Sequence, residues 1–205
     1  RQQKHPPQTL TLSYYIFTPR TLLATLTEDC RQQGVQLNLC YQDRQEAEQA
    51  LQKGESDIGI YQAVNKSVSE RFKWRAVGSI EMGVYASPSL FAHRPVSQLS
   101  LTACNQLIPN KGLEDHLARR LQIADRVQFV NDAVLLESLL ENGAGWAFLP
   151  VHLLEGRLSH IERIETEMGN SGIVHTMVAI WQPGQAGHPS LHPVLDRITE
   201  LFATG

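Results

Sequence analysis

Apolar and polar positions along the chain change period in a regular order. LTLSYYIF (10–17) is dense in β-formers and predicts a strand. Thr18-Pro19 then reads as a helix start, with Thr18 as N-cap and Pro19 at the first helical position. Leu22, Leu23, Leu26 and Cys30 fall on one helical stripe, which predicts a helix to about residue 33 with Gly34 ending it. VQLNLCY (35–41) alternates as a second strand. Ala47, Ala50 and Leu51 mark one face of a short helix closed by Gly54. DIGIYQA (57–63) is an apolar run bounded by turn residues, as suits a buried parallel strand. Two strand–helix–strand crossovers in succession predict an open α/β sheet.

The second half repeats the theme. RQQKHPPQ (1–8) reads as a linker tail and 64–73 as a polar loop. WRAVGSIEMGVYAS (74–87) predicts a long strand whose interior glycines, Gly78 and Gly83, need a bend or a close backbone approach. A crossing from one lobe to another supplies that reason. The segments at 105–109, 126–131 and 145–150 predict strands, separated by helices near 112–121 and at 132–142. The later helix carries Ala133, Val134, Leu135, Leu136, Leu139 and Leu140, more apolar surface than one stripe. It is expected to be covered on two sides, by its sheet and by a partner subunit. IERIE and IVHTMVAIW (173–181) predict returning strands. Val194, Leu195, Ile198, Leu201 and Phe202 predict a final amphipathic helix.

At 205 residues, 42% hydrophobic and 19% charged, the chain has the composition of a globular protein of one domain or two lobes. Its net charge of −3 lacks the basic stripe of a domain that grips DNA by itself. Three cysteines, Cys30, Cys40 and Cys104, form no CxxC pair and no even framework, which predicts a reducing, cytoplasmic setting. No apolar run approaches the roughly 20 residues that cross a bilayer, so no membrane partner is expected. No export leader is read at the N-terminus.

Catalytic signatures are not found. There is no GxSxG elbow, HExxH pair or Walker loop. Gly143-Ala144-Gly145 follows a helix rather than a strand and reads as a backbone turn. His188 and His192 have helical ligand spacing, but Pro189 and Pro193 break the helix that the spacing requires. The expectation is no enzyme, no cofactor and no metal.

The chain resembles the effector-binding domain of LysR-type transcription regulators. The resemblance is carried by LTLSYY with its helix, ALQKGESDIGIYQA, GSIEMGVYASPSL, NQLIPN and VNDAVLLESLLENGAGWAFLP, in that order and spacing over most of the chain. It implies an α/β, two-lobed type 2 periplasmic-binding-protein-like fold, each lobe an open mixed sheet flanked by helices. Lobe I would take 9–80 and 155–205, and lobe II 84–150. A small-molecule effector would sit between the lobes. DNA would be met only through an N-terminal winged helix-turn-helix absent from this chain. The resemblance further implies a homodimer of effector domains and a tetramer at full length.

In open α/β sheets ligands gather outside the carboxyl ends of strands. Those ends, and the positions matching the family's effector contacts, give Tyr15, Thr18, Gln42 and Gln62 in lobe I. Lobe II gives Pro109, Asn110, Lys111 and Asn131. Each has a plain alternative: Thr18 as a simple cap, Tyr15 as core, Lys111 as a solvated cation, and the amides as turn hydrogen-bonders. The bulky loop YYIFTP departs from the small Ser/Thr residues common in the family at this place. It leaves open an aromatic or partly apolar effector or a narrow, largely filled cleft. A solute-binding protein serving transport is the alternative from another class; a thiol-based redox regulator is the alternative within the family.

Overall fold

The computed structural model describes residues 8–63, 71–110, 116–153, 160–169 and 173–205. Residues 1–7 of the linker tail, most of the polar loop at 64–73, Lys111 and the expected helix start at 112–115 lie outside them; Gln8, read with the tail, is instead the first residue of a strand. The chain divides into two compact units, 1–79 with 176–205 and 80–175. Segment 155–175, expected with lobe I, falls in the second unit. The reason is pairing: β8 (Glu162–Arg163) lies antiparallel to β4 (Lys73–Ala86), and Val96 bridges Thr166.

In the first unit β1 (Gln8–Tyr14) lies between β2 (Val35–Tyr41) and β3 (Ile58–Gln62), parallel to both, and β9 (Ile173–Trp181) adds an antiparallel neighbour to β3. The register sets Tyr14 against both Tyr41 and Ile60. Helices α1 (Arg20–Gln32) and α2 (Arg44–Gln52) are the crossovers. α1 buries Leu22, Leu23, Leu26 and Cys30, the predicted stripe. α2 buries Ala47, Ala50 and Leu51, and Ala47 and Leu51 join a core that includes Tyr61, Phe72, Val178 and Ile180. At Gly54, φ +74, the amides of Gly54 and Glu55 return to the carbonyls of Leu51 and Ala50. This left-handed closure satisfies the last carbonyls of the helix. Helix α6 (Leu191–Thr204) packs on α1, where Arg197 meets Asp29 at 2.6 Å.

In the second unit the C-terminal half of β4 lies between β7 (Ala147–Pro150) and β8. β5 (Gln106–Ile108) pairs in parallel with β6 (Val127–Phe129). Trp146, fully buried, donates its indole N–H to the carbonyl of Leu101 at 3.0 Å and meets Phe148 edge-on. Gly145 has no room for a side chain, because a Cβ there would run into the backbone carbonyl of Asn105. Helix α3 (Gln98–Ala103), in a stretch where the sequence predicts no element, buries Leu101 and is capped by Ser97. Helix α4 (His116–Leu121) and helix α5 (Ala133–Glu141) complete the unit.

Two expectations need correction at β1. The strand ends at Tyr14, not residue 17, because the last ladder bond is Tyr15 N–H to the Ile60 carbonyl and the chain then turns, Thr18 N–H donating to the Tyr15 carbonyl. Ile16 and Phe17 are buried in that turn, which is why the run looks strand-like. The N-cap of α1 is Pro19, not Thr18; the Leu23 amide closes the first turn on the Pro19 carbonyl, and no side chain caps the end. At the other end of the unit, Pro193 sits inside the first turn of α6, where its missing N–H costs nothing.

Candidate binding site

Because β2, β1 and β3 run parallel, their carboxyl ends share one edge of the first unit, and each is followed by the segment that leads onward. Four residues singled out in the sequence lie along that edge. The structure sorts them by what their polar atoms are doing.

Gln42 is engaged in holding the edge together. Its Oε1 accepts from the Ser13 hydroxyl at 2.6 Å, and Ser13, itself fully buried, shares a 2.8 Å hydrogen bond with Ser56. Its backbone carbonyl accepts from the Tyr61 hydroxyl at 2.8 Å. Burial pushes the Tyr61 phenol well above its usual range, with the carboxylate of Asp43 adding to the effect, so the hydroxyl stays a neutral donor. Tyr15 is half-buried, edge-on to Phe17 at 5.5 Å and tilted against Tyr61 at 6.5 Å. It belongs to the packing beneath the edge.

Thr18 and Gln62 differ from these. Thr18 is 1% exposed and Gln62 8%, yet Thr18 Oγ1 and Gln62 Oε1 are buried with no hydrogen-bond partner among the described residues. Buried polar atoms are satisfied in the great majority of cases, because an unmade hydrogen bond costs about 1–3 kcal/mol. The chain supplies its own comparison in Gln106. That buried amide accepts from the backbone N–H groups of Ile123 and Ala124 and donates to the Leu121 carbonyl.

Arg44, not singled out in the sequence, completes the edge. It is the first residue of α2, whose start is fixed by a capping box: Asp43 accepts from the Glu46 amide at 2.8 Å and Glu46 reaches back to the Asp43 amide. Arg44 Nη1 donates to the Gln62 carbonyl at 2.6 Å and Nε reaches Glu48 at 3.4 Å. Nη2 is buried without a hydrogen-bond partner among the described residues. The DRQE box is legible in the sequence and locates the helix start. Which way its first side chain turns is set by the neighbouring strand.

In the second unit the register Ile108↔Phe129 brings the ends of β5 and β6 to one edge. Pro109 is buried and Asn110 half-buried there, and the Asn110 amide donates to the Ile108 carbonyl at 2.8 Å. Asn131 is exposed beside Asp132, which caps α5 through the Leu135 amide. Among the described residues no three His, Cys, Asp or Glu side chains gather to hold a metal ion. His188 uses Nδ1 to accept the Ser190 amide. Burial raises the thiols of Cys30 and Cys104 above their ordinary value, so both stay protonated at neutral pH.

The model of the LysR substrate binding domain matches residues 5–203. The chain belongs to the LysR substrate-binding-domain family. Its fold is that of this family, α/β and of the type 2 periplasmic-binding-protein kind. The regulatory domain of MetR, a LysR-family regulator from Neisseria meningitidis, is similar over 96% of this chain and 94% of its own, with 14% identity and a TM-score of 0.72. The reduced regulatory domain of OxyR2 from Vibrio vulnificus covers 98% and 99%, at 18% and 0.76. The CcmR regulatory domain of Synechocystis, in complex with 2-PG, covers 96% and 97%, at 17% and 0.75. No curated protein sequence matches the chain. Among the described residues no helix is long and apolar enough to cross a membrane.

Proposed function

We propose that this LysR-family domain is the sensing part of a cytoplasmic transcription regulator, holding a small-molecule effector without transforming it. The observation that carries the reading is the pair Thr18 and Gln62. Both are more than nine-tenths buried, Gln62 as the last residue of β3 and Thr18 in the turn that follows β1, and both have an atom left for a guest to satisfy. Such an edge is a binding surface awaiting a partner. The CcmR domain, of similar fold, is solved with 2-PG bound, which supports small-molecule binding by this architecture.

In this reading the signal passes to DNA through a winged helix-turn-helix preceding the chain, and effector domains associate as homodimers, as tetramers at full length. Val134 and Leu135, 77% and 52% exposed on α5, supply an apolar face for that association. A transport role is tested by the full-length gene: a basic helix-turn-helix directly upstream supports the regulator, an export leader the transport protein. Sensing by thiols finds little support, since the raised values of Cys30 and Cys104 disfavour the reactive thiolate.

The reading is tested by thermal-shift screening of this chain against metabolites, followed by Thr18→Ala and Asn131→Ala. Thr18→Ala is expected to abolish the ligand-induced shift while leaving the unliganded melting temperature within about 4 °C, the change that roughly 1 kcal/mol makes in a chain of this size. Asn131→Ala reports whether the second unit takes part. A hit that shifts wild type and Thr18→Ala alike would remove the site.

A further inference from the structure

A cavity of about 510 Å³ opens in the first unit, between the last turn of α1 and the first half of α6. Gln8 and Val35, which open β1 and β2, lie beside it or line it, so it sits at the opposite ends of the strands from Thr18 and Gln62. Cys30, Val35 and Val194, all buried, line it together with Pro189 and Pro193. Its charged side chains are Asp29, Asp196, Glu200 and Arg197. Arg197 is shared between Asp29 at 2.6 Å and Glu200 at 3.0 Å, and Asp196 meets Arg75 of β4 at 2.7 Å. Three carboxylates against two guanidiniums leave negative charge in excess, and each carboxylate uses a single oxygen in these pairs. The side chains of Asp196 and Glu200 are each 63% exposed, so that excess is open to a cation.

The chain enters the fold at this cavity. Gln8 donates its amide to the Gly34 carbonyl at 3.2 Å, stands opposite Val35 in the ladder and accepts from the Ser190 hydroxyl. Val35 and Ser190 are both part of the cavity wall. The seven residues ahead of Gln8, RQQKHPP, carry Arg1 and Lys4 and no acidic side chain. Pro6 and Pro7 stand next to Gln8. A proline pair resists helix, favours an extended run and offers apolar rings. Lys4 is four residues from Gln8, a reach of up to about 13 Å of extended chain before its own side chain is counted. We propose that residues 1–7 dock in this cavity, Pro6 and Pro7 against its apolar lining and Lys4 at the carboxylates of Asp196 and Glu200. Opposite charge, apolar rings and attachment at the cavity wall single out this segment of the same chain as the occupant. Docking fixes the direction in which the chain arrives at β1, along the side of the sheet that α1 and α6 cover. The proposal is independent of the sensing reading.

The test is made on the whole chain, as wild type, Lys4→Glu, Glu200→Lys and the doubly substituted form. Two readouts are followed: the backbone amide resonances of Gln33 and Val194 by NMR, and the rate at which iodoacetamide alkylates Cys30. The Gln62 amide, at the other end of β3, and the thiols of Cys40 and Cys104 serve as internal references. Lys4→Glu is expected to shift Gln33 and Val194 and leave Gln62 in place. It should also raise the Cys30 rate roughly two- to fivefold, the range that one exposed ion pair supplies. Glu200→Lys should act alike, and the double substitution, which restores opposite charges, should return both readouts toward wild type. Lys4→Glu leaving either readout unmoved overturns the proposal, as does a double variant no closer to wild type than the single ones. Cys40 and Cys104 rising in step with Cys30 would report loosening of the whole fold, and would overturn it too. Protection of Cys30 that grows with protein concentration would make a second copy the occupant and remove residues 1–7 from the cavity.

Discussion

Arg44 Nη1 lies 2.6 Å from the carbonyl oxygen of Gln62, so the first residue of one helix is fastened to the last residue of a strand. The same edge is tied a second time by Tyr61 to Gln42, and a third time by Ser13 to Gln42. Three strand tips and one helix start therefore form a single rigid piece. Arg44 Nη2 and Gln62 Oε1, both without hydrogen-bond partners among the described residues, sit on that piece. A site whose supports are fixed loses less entropy when a guest arrives.

The first prediction concerns the start of α2. Asp43→Ala removes one half of the capping box and leaves the Glu46 amide without its 2.8 Å acceptor. The expected cost is about 1 kcal/mol, which in a chain of this size lowers the melting temperature by roughly 2–4 °C. Because Arg44 is the next residue, effector binding should weaken along with stability. Calorimetry and titration on the same variant check both. An unchanged midpoint would mean that the cap contributes nothing.

Ser13 and Thr18 are both buried hydroxyls, yet opposite outcomes are expected on removing them. Ser13→Ala strands the Oε1 of Gln42 and breaks the link to Ser56, so a loss of about 1–3 kcal/mol is expected in urea unfolding. Thr18→Val replaces a hydroxyl that has no partner with a methyl of the same shape. Its stability should be equal to wild type or higher, since an unmet polar group is removed. Effector binding should be lost all the same. A destabilisation by Thr18→Val as large as that by Ser13→Ala would show that the Thr18 hydroxyl has a structural partner after all.

Much of this edge could be read from the order of residues alone. The stripe Leu22, Leu23, Leu26 and Cys30 and the run IGIYQ have periods that only one burial pattern fits, and both formed as expected. Gln62 could be singled out because a strand's end is visible where the apolar run stops, whereas the run before Thr18 continues past the end of β1. What was hidden is whether a polar atom at such a place is already engaged. Gln42 and Gln62 look alike in the sequence, and only Ser13 on β1, itself bonded to Ser56 in the turn before β3, separates them. Arg44 was passed over for the same reason, since its direction depends on a carbonyl eighteen residues away. The helix at 98–103 buries a single residue, too few to leave a period. The Thr18-Pro19 pair misled because proline suits either the cap or the first turn, and backbone geometry decides.

The third prediction is a pH dependence at His175, which is buried in β9. Burial holds its pKa below the ordinary value, and the positive charge of Arg120 acts in the same direction. The folded state therefore keeps the imidazole neutral at a pH where the unfolded chain, titrating near about 6.5, already binds a proton. Stability from this residue is complete above about pH 7 and declines as the pH falls through 6.5 toward the depressed folded value. Urea midpoints measured from pH 8 to pH 5 should fall more steeply for wild type than for His175→Gln. Parallel curves would assign the acid sensitivity to other groups.

Helix α5 yields the last prediction. Leu136 and Leu140 are 2% and 0% exposed, whereas Val134 and Leu135 on the same helix are 77% and 52% exposed. The two-sided apolarity legible in the sequence thus divides into a face that is covered and a face that is not. Leu140→Ala should cost about 2–5 kcal/mol, as for a large side chain removed from a packed core. Val134→Glu combined with Leu135→Glu should leave the monomer's stability within about 0.5 kcal/mol, as is usual for surface positions. If this face joins two copies, sedimentation velocity will show wild type shifting to a dimer with concentration and the double variant remaining monomeric. A double variant that dimerises like wild type would place the subunit contact elsewhere.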